Sequence, residues 1–406
     1  MRARAATLSL LLGACGPGSS DDEGGASETE TGSEGDPLPD PSWCQSIDEP
    51  AATPQVQALE LVALRSAIPG LAAQPTARGQ VLGSLFAFDG RVHLGYGDYS
   101  DNTGPILSVA WNDALGDFDE LGVLPTEEVQ WFRPGLAELY VPAIDPDGHQ
   151  ESGGVYRLDC ASSSWVVATP IAGAVHVYDV ARQGESIYAS TGSLTGAPAL
   201  VVRSDDRGDS WTELLRRESA SDRFSRFYTL GATSSLLFAW GEDSPAPHEP
   251  YAYVRQGAGE FEAIVMPTTN PLHPIVLADA MVLAEFTGTP GRSSYVATYR
   301  IAGSELIEIE PWPTLASGSA VPLTWTYEGA SLVVLLRDDD GTLAVQRTTD
   351  LALGPDGFEP LATIEPLLPD PMGVAESFVS AAAMHGDLYL GTSLGSLYVL
   401  RELDPA

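Results

Sequence analysis

Ser204-Asp205-Asp206-Arg207-Gly208-Asp209-Ser210-Trp211 is the stretch whose reading decides the fold. Ser204 and Asp206 carry oxygens that accept hydrogen bonds from the backbone of their own turn. Gly208 permits a backbone angle that other residues resist. Trp211 brings a large apolar ring to the end of the turn, where it can pack against a neighbouring element. Residues 199–203 before it and 211–215 after it read as strands, so the stretch is a hairpin turn that holds itself together.

Short apolar strands recur along the chain, usually after a turn. They lie at residues 90–95, 138–141, 186–189, 235–239, 280–283, 331–335 and 387–391. The intervals are roughly 45–56 residues, the length of one four-stranded unit of a propeller. Around residues 186–190 the full set is 175–181, 186–190, 199–203 and 211–216. Phe118, Trp165, Phe261 and Phe358 each open the fourth strand of their repeat, as Trp211 does. The fold class expected is therefore all-β, a seven-bladed β-propeller. Six or eight blades also fit the weaker fifth and sixth repeats. The last repeat lacks a fourth strand, and residues 57–64 form an unused apolar segment upstream of the first. That N-terminal strand is expected to close the ring as the outer strand of the last blade, which removes exposed sheet edges.

Ser204, Asp206, Gly208, Ser210 and Trp211 spell S-x-D-x-G-x-S-W, which resembles the Asp-box, or bacterial neuraminidase repeat, of sialidase-like β-propellers. In that family the turn is structural. The family's active site would add three carboxylate-clamping arginines, a Tyr–Glu nucleophile pair and an acidic residue. Phe132-Arg133-Pro134 is similar to its Phe-Arg-x-Pro segment but lacks the intervening residue, and no second or third inner-strand arginine stands out. The resemblance covers the repeat and leaves the activity aside.

The N-terminus gives an address. Arg2 and Arg4 precede a compact apolar run at residues 5–12, too short to span a bilayer. Leu12-Gly13-Ala14-Cys15 resembles the bacterial lipobox, which implies a signal peptide at residues 1–14 and lipidation of Cys15; a plain signal peptide is the alternative. Residues 15–42 are rich in Asp, Glu, Gly, Ser and Pro with no basic residue, so they read as a disordered acidic tether. Residues 43–406 are one propeller domain. In an oxidising compartment Cys44 and Cys160 would pair and pin the end of the tether, with two free thiols as the alternative. The chain is expected at the bacterial cell envelope, periplasmic or at the cell surface, touching the membrane through its lipid anchor only.

Composition removes several functions. All 20 basic residues are arginine, so Schiff-base and P-loop lysine chemistry are absent. A formal net charge of −36 opposes binding to nucleic acid or anionic lipid. The loops joining strands 2 to 3, and each blade to the next, share one face. There Asp98, Asp101, Asn102, Glu127, Glu128, Asp145, Asp147, His149, His176, Tyr178 and Asp179 converge, with Arg133 nearby. As ligand-binding residues we select Asp98, Asn102, Glu128, Arg133, Asp145 and His176. The oxygens of Asp98, Asp101, Asp145 and Asp147 suit Ca²⁺. Asp98, Asp145, His176 and Asp179 are the catalytic candidates if the site works on a glycan. The same residues also serve as ordinary turn formers. Trp131, Trp240, Trp312 and Trp325 read as core, with a sugar-stacking floor as the alternative. The function expected is a binding module for an envelope protein or glycan; a glycan-active hydrolase or lyase is the alternative.

Overall fold

The computed structural model describes residues 55–403 apart from 145–152, 160–163, 246, 288–293, 316–317, 319 and 365–375. The chain is an all-β propeller of antiparallel meanders. Its described strands form six sheets. The first contains Ser84–Phe88, Arg91–Gly95, Ile106–Asn112 and Asp117–Leu124, and the second Arg133–Pro134, Glu138–Pro142, Val155–Asp159 and Val166–Val167. The third has eight strands, in two runs of four that start at His176–Gln183 and Phe224–Ala232. The fourth, fifth and sixth start at Leu272–Leu277, Ala320–Glu328 and Phe378–Met384. Seven separate blades were expected. Five separate sheets, four of four strands and one of five, and one fused eight-stranded sheet are found, because Gly192 pairs with Arg226 and joins the two runs.

The N-terminal segment also divides where one strand was expected. Gln55–Gln57 runs parallel to Glu359–Ile364 as a fifth strand of the fifth sheet. Glu60–Ala63 then pairs antiparallel with Leu397–Leu400 as the fourth strand of the sixth. The sixth sheet meets the first through Ser380 Oγ, which donates to the Leu82 carbonyl at 2.6 Å, and Leu82 N–H, which donates to the Thr392 carbonyl at 3.2 Å. Their apolar faces share one core containing Leu82, Leu94, Ala382 and Tyr389.

The turn at 204–211 behaves as its residues dictate. Ser204 Oγ accepts from Gly208 N–H at 2.8 Å and donates to Asp206 at 2.7 Å. Asp206 accepts from Ser210 N–H at 2.8 Å and from Ser210 Oγ at 2.5 Å. Gly208 has φ +95°, and a Cβ there would lie 2.8 Å from Ala168 Cβ. The turn is also fastened to the second sheet. Trp211 Nε1 donates to the Thr169 carbonyl at 2.8 Å, and Arg207 pairs with Glu138 and Asp159. Trp165, at the same register, donates to Ser108 of the first sheet at 2.8 Å. At these two positions the aromatic that opens the fourth strand is a wedge between neighbouring sheets.

Arg401 bridges the ends of the domain. Its guanidinium lies 2.9 Å from Asp113, 2.6 Å from Asp387 and 3.5 Å from Glu60. The group is partly exposed, so its contribution is modest and screened by salt. Arg401→Ala should lower unfolding stability by about 1 kcal/mol at low ionic strength, and the loss should shrink in concentrated salt. Urea melts at two salt concentrations check this.

Candidate functional site

The loop after Gly95 forms one wall of the channel mouth. Gly97 has φ +125°, and a Cβ there would lie 2.4 Å from the Glu127 carbonyl, so only glycine lets the two loops approach this closely. Asp98 is buried and fully engaged. It accepts from Thr76 Oγ1 at 2.8 Å and Ser100 N–H at 3.1 Å, while its own N–H donates to the Glu127 carbonyl and to Thr103 Oγ1. Asn102 adopts φ 50° and turns its amide nitrogen towards the Glu127 carboxylate. Asp101 is exposed and donates its backbone N–H to the Asp98 carbonyl. Asp98, Asp101 and Asn102 therefore build a turn, and Asp98 is not free to act as a general base.

Glu128 is different. It is buried, and its contacts are long: Arg78 Nη2 at 3.4 Å and Tyr99 N–H at 3.3 Å. Burial pushes its carboxyl up to about 7, outweighing the pull of Arg78. Arg78 itself lies 4.5 Å over the Tyr99 ring and donates to Ser100 Oγ.

On the opposite wall His176 rests against Tyr178, with ring centroids 5.3 Å apart. Burial, then the charge of Arg226, lowers its pKa to about 4, so the ring is neutral; its buried Nδ1 has no partner. Arg226 lies 4.2 Å over Phe224 and donates to Tyr228 Oη at 3.3 Å, while its buried Nε has no partner. No described carboxylate reaches it. Arg226 sits on an inner strand, and the sequence reading passed over it. The alternation in Phe224-Ser225-Arg226-Phe227-Tyr228 was the available signal.

Asp179 is occupied in the interior. It receives Arg133 Nε at 2.6 Å and Nη2 at 3.1 Å, together with the backbone N–H of Leu230 at 2.9 Å and of Val180 at 2.8 Å. It is an interior clasp rather than an exposed catalyst, and Arg133 gives it two N–H groups from one edge of the guanidinium. Asp145, Asp147, His149, Cys15, Cys44 and Cys160 lie outside the described residues. Among the described residues no group of three or more His, Cys, Asp or Glu side chains is arranged to hold a metal ion, so Asp98 and Asp101 do not make a calcium site on their own.

A cavity of about 380 Å³ is lined by Tyr99, Glu242 and rings that include Trp131, Trp240 and Trp325. All three line the cavity, and Trp240 and Trp325 also belong to the core; Trp312 is buried in the core between the fourth and fifth sheets.

No family model matches the chain, and no curated protein sequence matches it. Among solved structures it is similar to a chain in the crystal structure of a mitotic checkpoint complex, at 12% identity and TM-score 0.51, covering 92% of this chain and 99% of that one. It is also similar to an α-L-arabinanase of Penicillium chrysogenum complexed with arabinobiose, at 15% identity and TM-score 0.36, covering 68% and 94%. A third similarity is to the β-propeller domain of the Trilobed protease from Pyrococcus furiosus, at 9% identity and TM-score 0.43, covering 78% and 92%. At these identities the likeness concerns fold alone.

Two outcomes follow from the buried charges. Removing Asp179 strands Arg133 and the Leu230 N–H, so Asp179→Ala should cost about 3–5 kcal/mol in urea unfolding, while Asp179→Leu combined with Arg133→Met should recover much of it. Glu128 has a raised folded-state pKa, so the stability it contributes is full below pH 4.5 and is lost as pH rises through about 7. Glu128→Gln should therefore gain on the wild type between pH 5 and pH 8 when denaturation midpoints are compared.

Proposed function

We propose that this chain is a lipid-anchored envelope protein whose propeller binds a ligand or partner at the channel mouth. Residues 1–14 would be the signal peptide, Cys15 the lipidated residue, 15–42 the tether and 43–406 the propeller. We count each run of the eight-stranded sheet as a blade, since a single residue pair joins the two runs, and so reach seven. The turn at 204–211 and its aromatic register support a sialidase-like relationship within the propeller class.

One observation carries the binding reading. Arg226, Tyr228, Tyr178 and His176 form one cluster and Arg78, Tyr99 and Glu128 another, with Tyr99 within electrostatic reach of Arg226 and Tyr228, and Arg226 has no carboxylate partner among the described residues although the chain holds 56 acidic residues against 20 basic ones. A cation flanked by aromatic rings and left unpaired in an acidic protein is a recognition feature. The envelope glycans and proteins named as partners above are the ligands to screen. Asp98, Asn102, Glu128, Arg133 and His176 remain in the proposal as the framework of the mouth, with Asp145 as an added loop residue and Ca²⁺ as a ligand only if Asp145 and Asp147 join Asp98 and Asp101.

A glycan-active hydrolase is the second reading, and Glu128 favours it. A carboxyl that stays protonated near neutrality is the acid half of such chemistry. The engagement of Asp98 and Asp179 leaves it without an evident base, which is why binding is preferred.

A binding screen against envelope glycans and envelope proteins, using the full chain with Cys15→Ala, tests the reading. Arg226→Ala and Tyr99→Ala should each weaken any hit by about tenfold or more. Hits unaffected by both would move the site elsewhere, and glycan cleavage abolished by Glu128→Gln would favour the hydrolase. In the native host, Cys15→Ala should also abolish incorporation of labelled fatty acid and release the chain from the membrane fraction.

A further inference from the structure

The cavity has a chemistry of its own. Trp131 faces His273 at 5.8 Å between ring centroids, His273 meets Phe286 at 5.5 Å, and Phe286 stacks on Trp325 at 5.9 Å with 26° between the planes. These rings come from different sheets, so aromatic surface faces the space from several sides. The volume, about 380 Å³, lies in the range of small-molecule pockets.

Few polar groups in its walls are open to a ligand. Trp131 Nε1 and Trp240 Nε1 are buried away from the space, so the indoles offer it ring surface rather than donors. Several other wall groups are committed: Thr229 Oγ1 donates to the Leu272 carbonyl, Ser380 Oγ to the Leu82 carbonyl, and Tyr327 Oη accepts from Val276 N–H. Among the described lining residues Arg133 is the one cation, Asp179 neutralises it through two bonds, and Glu242 adds a carboxylate. An anion entering here would be desolvated without a net opposing charge, which is costly. A sugar ring would set hydroxyl groups against aromatic walls on the sides where it needs partners.

We propose that the channel cavity is a small-molecule site for a flat aromatic ligand that carries no negative charge. Its rings stack between the aromatic walls. This goes beyond the reading of the mouth: it gives the space lined by Trp131, Trp240 and Trp325 a ligand of its own, with Tyr99 and Tyr228 bordering both.

The experiment titrates the full chain carrying Cys15→Ala with N-phenyl-1-naphthylamine, an uncharged fluorescent aromatic amine that reports the stacking walls. Energy transfer from tryptophan and one saturable site per chain are expected. Thr324→Phe fills the cavity from its own wall and should weaken binding about tenfold or more. Ser84→Leu, from the first sheet, serves if that variant fails to fold. Non-saturable binding, or binding unchanged by both filling variants, overturns the site. Displacement by cellobiose or arabinobiose, or equally tight binding of the anionic 8-anilinonaphthalene-1-sulfonate, overturns the ligand class.

Discussion

Asp179 ties three successive runs of strand to one buried carboxylate. It lies on the inner strand His176–Gln183, receives two N–H groups from Arg133 of the second sheet, and receives the backbone N–H of Leu230 from the next inner strand. A propeller needs such a device. Its inner strands are sheet edges that turn unpaired N–H and C=O groups towards the axis, and each unpaired group costs stability once water is excluded. A side chain that reaches sideways from one inner strand to the backbone of the next satisfies these groups and fixes the spacing of the sheets together. The mouth and the cavity are both framed by strands held in this way.

The same solution recurs with milder chemistry. Four inner strands contain a register shift that skips one residue: Tyr178, Tyr228, Leu323 and Val379. The residue after each is Asp179, Thr229, Thr324 or Ser380. Thr229 donates to the Leu272 carbonyl and Ser380 to the Leu82 carbonyl, each across to the following sheet or the segment leading into it. A bulge bends its strand and re-aims the next side chain, which is what a strand near the axis requires. It also places Tyr178 and Tyr228 in ring contact at 4.7 Å beside Arg226. The packing that holds the sheets together thus also makes the aromatic surface at the mouth.

Much of the architecture was legible in the sequence, because the signals that carry it are local. Ser204, Asp206, Gly208 and Ser210 form their turn from neighbouring atoms, and the aromatics at 118, 165, 211, 261 and 358 mark fourth strands because a large ring is needed between sheets. The site was less legible, since its partners are distant in the chain. Asp179 looked like a candidate catalyst because Arg133, 46 residues away, cannot be paired with it by pattern. Arg78 lies in the irregular segment before Ser84, where no periodicity announces a role. Arg226 belongs to no local motif; its setting comes from Tyr178, which is distant in the chain. The bulges leave no mark in composition, so the ring of Asp179, Thr229, Thr324 and Ser380 is visible only once the strands are paired.

If the clasp organises the domain, its effect belongs on one backbone group. Residue-resolved hydrogen exchange of the wild-type chain measures that directly. The account predicts that the Leu230 amide, although on an inner edge strand facing the channel, exchanges as slowly as the most protected amides of the second strands and opens only with global unfolding. Exchange of Leu230 at the rate of an open, solvent-facing edge would contradict it.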